Sequence, residues 1–96
     1  MAKWYTCLPA GRRARIKMFF VYILQSLKTG EFYKGLTDNI SRRIDQHFIG
    51  KSNWAKGKLP IKLVHVEICQ TRQEARTTEK FFKSGYGREV VKELAN

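Results

Sequence analysis

Apolar residues gather in one run, Phe19-Phe20-Val21-Tyr22-Ile23-Leu24, and return in a shorter one, Phe32-Tyr33-Lys34-Gly35. Between them lie polar residues ending in Lys28-Thr29-Gly30-Glu31. The β-branched and aromatic content of the first run predicts a strand, and its length is far short of a membrane span. Thr29-Gly30 predicts the turn, because glycine takes positive φ without strain. Side chains alternate along a strand. Tyr22 therefore shares a face with Phe20 and Leu24, and Tyr33 shares one with Glu31 and Gly35. Pairing that puts those faces together sets two phenols side by side over a glycine.

The period then changes. Asp38 or Asn39 caps a helix to about Phe48, and Gly50 ends it. Ile40, Ile44 and Phe48 form its expected buried stripe, with Arg43 and His47 on the edge at about 60° and 20° from Ile40. Leu59 to Cys69 predicts a third strand through Ile61, Leu63, Val64 and Val66, with His65 and Glu67 at the surface. A capping box, Thr71 to Glu74, opens a second helix to about Lys83 or Ser84. Its stripe takes Ala75, Thr78 and Phe82, and Glu79 falls inside it at about 40° from Ala75. A carboxylate there needs a cation beside it, from a salt bridge or a metal. Gly85 and Gly87 are expected to break the chain before a short helix from Arg88 to Leu94. The sum is an α+β fold, a small three-stranded antiparallel sheet flanked by helices.

Ninety-six residues suffice for one small domain. A 43% hydrophobic and 12% aromatic content belongs to a folded chain. The net charge is +11, and residues 19–96 alone hold 14 basic and 8 acidic residues. The excess is a property of the fold as well as the tail, and it favours a polyanion, nucleic acid first. Residues 1–17 lack a helical or strand period and are expected to be a disordered basic extension ahead of a domain at 18–96. The apolar run beyond them is too short for a signal peptide and has no small-residue cleavage site. Cys7 and Cys69 form no disulfide framework or metal-ligand spacing. They read as reduced thiols of a cytoplasmic protein, without a membrane anchor or an obligate protein partner. The loop at 49–60 interleaves Lys51, Lys56 and Lys58 with Trp54, a composition suited to phosphate contact and base stacking. The alternative is that Trp54 anchors the loop to the domain.

Spacing adds a resemblance. Val21-Tyr22-Ile23, Tyr33-Lys34-Gly35, Arg43, His47 and Glu79 occur in the order and separation of the GIY-YIG nucleases, over about Phe19 to Leu94. The chain is most similar to small single-domain members resembling the nuclease module of bacterial excision repair. It departs from the pattern at Val21, where a glycine begins the first signature, and at Lys34, where isoleucine is usual. A late asparagine of several members has no evident counterpart near Lys83, Ser84 and Gly85. The resemblance implies a metal-dependent endonuclease acting on DNA in preference to RNA, in repair or recombination. Tyr22, Tyr33, Arg43, His47 and Glu79 would be catalytic, and Glu79 would hold Mg²⁺ or Mn²⁺. Lys34, Lys51, Trp54, Lys56 and Lys58 would contact nucleic acid. Against it stand a basic binding module without cleavage and an RNA-directed nuclease.

Overall fold

The computed structural model describes residues 17–96, so the expectations for Cys7 and for the tail up to residue 16 lie outside the described residues. The chain runs β1 (Phe19–Ser26), β2 (Phe32–Thr37), α1 (Ile40–Phe48), β3 (Ile61–Cys69), α2 (Arg72–Lys83) and α3 (Gly85–Ala95). The sheet order is β2-β1-β3, and both pairings are antiparallel. This is the expected α+β fold. As the central strand β1 is covered on both faces, which is why its sequence is a continuous apolar run. Val21, Tyr22, Ile23 and Leu24 are all buried.

The two sheet faces serve different helices. Val21, Ile23 and Cys69 pack with Ala75 and Phe82 of α2 and Val91 of α3. Tyr22, Leu24 and Ile61 pack with Ile40 and Ile44 of α1 and with Trp54. Each buried Val, Ile or Leu contributes about 1.5–3 kcal/mol. β3 serves both layers through a bulge. Ile23 lies opposite His65 and Leu24 opposite Leu63, leaving Val64 extra. Val66 and Ile61 therefore face α1 while Val64 packs on the α2 side.

Local chemistry sets the ends of the elements. Gly30 has φ 83° in the hairpin turn. Ser26 is buried there, its Oγ accepting from the Lys28 and Thr29 N–H groups at 3.1 and 3.0 Å and donating to the Lys58 carbonyl at 2.7 Å. The Leu27 N–H adds a bond to the Pro60 carbonyl at 2.8 Å. Asn39 caps α1 by accepting from the Arg42 N–H, and Gly50 follows the helix with φ 82°. Thr71 caps α2 through the Glu74 N–H at 3.1 Å, but Glu74 reaches back to the Gln70 N–H, one residue beyond the expected partner.

Two expectations need correction. Phe48 is 43% exposed and His47 is fully buried, so the histidine takes the inward position on α1. Gly85 and Gly87 do not break the chain; they form the first turn of α3, capped by Ser84. Gly87 is required by contact: a Cβ there would lie 1.7 Å from the Phe81 carbonyl oxygen.

Candidate active site

The hairpin register puts Tyr22 opposite Gly35 and Tyr33 opposite Leu24, so both phenols occupy the α1 face of the sheet. Their ring centroids are 6.0 Å apart. Gly35 makes this possible, since a Cβ there would come within 2.5 Å of the Tyr22 ring and 2.8 Å of the Tyr33 ring. α1 then brings its residues over the pair. His47 Nε2 lies 3.0 Å from the Tyr22 hydroxyl and Nδ1 lies 2.7 Å from Ser52 Oγ. Ser52 Oγ also accepts from the Ala55 N–H at 3.2 Å. With the Tyr22 hydroxyl donating to Nε2, the other ring nitrogen donates to Ser52, and the buried histidine is satisfied at both ends.

Around this chain lies an open cleft of about 530 Å³ lined by Tyr33, Arg43, His47, Lys51, Ser52, Asn53 and Trp54. Tyr33 stacks obliquely between His47 and Trp54, with centroid distances of 4.9 and 5.2 Å. Arg43 is half-buried, and one guanidinium nitrogen donates to Gln46 Oε1 at 2.7 Å. The Lys58 ammonium sits 5.5 Å from the Trp54 ring centre and 3.9 Å from Glu31, while Lys51 and Lys56 are exposed. Trp54 thus both anchors its loop and faces the cleft.

Burial, and after it the neighbouring Tyr33, push the Tyr22 phenol up to about 12, with the charge of Arg43 acting the other way. Burial first and Arg43 second lower His47, which keeps its imidazole neutral at pH 7. The phenol therefore holds its proton against water but faces a neutral base at hydrogen-bond distance.

The residues picked out by sequence divide between the two faces. Tyr22, Tyr33, Arg43, His47, Lys51 and Trp54 come together at or beneath the cleft, with Lys56 and Lys58 on its loop. Lys34 lies opposite Ile23, on the face away from the phenols. Glu79 is carried by α2, which packs on that same far face; its side chain is 24% exposed and its carboxylate lies 3.3 Å from the Lys83 ammonium. It is not among the residues lining the cleft. No group of three or more His, Cys, Asp or Glu that could hold a metal occurs among the described residues. One partly exposed carboxylate still suits Mg²⁺, which commonly takes one or two carboxylates and keeps several waters. Sequence reasoning passed over Ser52. Its only signal is a small hydroxyl residue shortly after the glycine that ends the histidine's helix.

Residues 18–93 match the GIY-YIG catalytic domain. A UPF0213 protein of Bacillus licheniformis is 37% identical over 65 residues, covering 67% of this chain and 66% of that one. A UPF0213 protein of Haloquadratum walsbyi is 35% identical over 77 residues, covering 79% and 84%. The solution NMR structure of a UPF0213 protein from Bacillus halodurans superposes with a TM-score of 0.50 at 31% identity, covering 80% of this chain and 84% of that one.

Proposed function

This chain belongs to the GIY-YIG nuclease family, and on that premise we propose that it is a metal-dependent endonuclease hydrolysing phosphodiester bonds in DNA. The observation that carries the reading is the hydrogen-bonded chain Tyr22–His47–Ser52 beneath a cleft that presents Arg43 and Lys51. Phosphodiester hydrolysis needs an activated water, a neutralised phosphate and help for the leaving 3′ oxygen. A water gives its proton to the Tyr22 oxygen as the phenolic proton passes to His47 Nε2. The water oxygen bonds to phosphorus while the bond to the 3′ oxygen breaks; the departing oxygen takes a proton from solvent water, and His47 returns its own to solvent. A buried phenol near 12 is almost never ionised at neutral pH, so its proton must pass to His47 in concert with attack. His47, held low, carries the proton only transiently.

Tyr33 lines the cleft and positions the water or the phosphate. Arg43 grips the phosphate with its planar fork. Glu79 is the residue that would hold Mg²⁺ or Mn²⁺, and the ion, once bound, would supply neutralisation of phosphate charge. Action in repair or recombination, in the cytoplasm, extends the same reading; the free, buried Cys69 suits a reducing compartment. Among the described residues no helix is long and apolar enough to cross a membrane.

One observation favours a second reading, a nucleic-acid-binding module without cleavage: Glu79 is paired with Lys83 and lies outside the cleft lining. Supercoiled plasmid incubated with Mg²⁺ or Mn²⁺, with and without chelator, separates the two. Wild type should nick the plasmid only with metal. Glu79→Ala and Tyr22→Phe should bind DNA but leave it supercoiled. No nicking by wild type of DNA or RNA would establish the binding module, and nicking by Glu79→Ala at the wild-type rate would refute the site.

A further inference from the structure

Lys34 is on the wrong face of the sheet to serve the cleft. It is half-buried, and that burial first, then the charges of Arg88 and Lys83, hold its ammonium below the usual lysine range. Lys83 and Arg88 flank the turn from α2 into α3. That turn is tightly held. Ser84 Oγ donates to the Phe81 carbonyl at 2.6 Å and accepts from the Gly87 N–H at 3.1 Å. The turn displays two aromatic rings, Tyr86 at 75% exposure and Phe81 at 41%, with centroids 6.0 Å apart. Phe81 rests in turn on Phe82 of the core, at 5.5 Å. Lys83, paired with Glu79 at 3.3 Å, and Arg88 bracket these exposed rings, with Lys34 on the same face of the sheet, and a ligand offering both anions and a flat apolar face suits this mixture of charge and ring.

We propose that the α2–α3 corner is a second nucleic-acid contact that stacks an unpaired base on the exposed Tyr86 ring, which Phe81 backs edge-to-face, and holds the adjoining phosphates with Lys34, Lys83 and Arg88. A stacking platform accepts any base, because every base has a π face. In a duplex the interior bases are already stacked. The corner therefore selects a single-stranded segment, such as a flap, gap or frayed end, and narrows the substrate to nucleic acid containing one. The proposal rests on the nuclease reading for the class of ligand alone, since stacking needs no cleavage.

The test is a fluorescence anisotropy titration in chelator, with a labelled oligothymidine and a duplex of equal length. Wild type should prefer the single strand. Tyr86→Ala should weaken single-strand binding by about fivefold to a hundredfold, the worth of one stacked base, and leave duplex binding unchanged. Tyr86→Phe, which keeps the ring, should bind like wild type. Equal single-strand binding by wild type and Tyr86→Ala would overturn the proposal and leave the rings to a protein partner. Loss of both forms in parallel would also overturn it. A protein that nicks no substrate but shows the single-strand difference would fail as a nuclease and keep this contact.

Discussion

His47 makes its two hydrogen bonds from inside the protein, and both it and Tyr22 are buried in their neutral forms. Each therefore ties stability to pH. His47 is lowered on folding, so its contribution is complete above the ordinary histidine value of about 6.5 and is lost as pH falls through the folded value. Tyr22 is raised from 10.0 to about 12, so its contribution is complete below 10 and is lost as pH rises through 12. The melting temperature should hold level between about pH 7 and 10 and fall on either side. Tyr22→Phe should shallow the alkaline fall, and thermal melts across pH would show it; an unchanged alkaline arm would contradict the assignment. The inward position of His47 was legible in angle but hidden by polarity. On a helix it stands about 20° from Ile40, and Phe48 stands about 80° away. Hydropathy favours the phenylalanine. The hydroxyls of Tyr22 and Ser52 reverse that preference, and a linear sequence does not show that they meet.

Among the elements, the hairpin and the first two helices follow from local signals: Thr29-Gly30, the Asn39 cap and the Thr71 cap. The β3 bulge does not. Ile61, Leu63, Val64 and Val66 fit a strand in either register, and only pairing with β1 identifies Val64 as the extra residue. The α2–α3 corner was misjudged because glycine usually ends a helix, whereas Gly87 is there for closeness. Gly87→Ala drives a methyl group into the Phe81 carbonyl, against backbone that has little freedom to yield. It should cost about 3 kcal/mol or more by denaturant melts. Gly85→Ala meets nothing within 4 Å and should be neutral or slightly stabilising. Equal effects at the two positions would show that the corner relaxes freely.

For the whole molecule, the net charge of +11 sets the first encounter with nucleic acid. Observed DNA affinity should fall with salt at a log–log slope of about −0.9 per phosphate neutralised on B-DNA. Replacing Lys51, Lys56 and Lys58 together with alanine should flatten that slope. An unchanged slope would remove the loop from the contact surface. The loop's charge was readable from sequence; its seat over Tyr33 was not, because that depends on a fold bringing residues 33 and 54 together. The loop is also linked to the hairpin. Ser26 Oγ holds the β1–β2 turn with two bonds and the Lys58 carbonyl with a third, and Leu27 joins Pro60. In terms of fluctuation, these bonds couple two surface segments that would otherwise open independently. The turn and the far end of the loop should loosen as one cooperative unit, so the exchange of a buried amide in either reports on both. A nucleic acid that steadies the loop would then quieten the hairpin turn, which it need never touch.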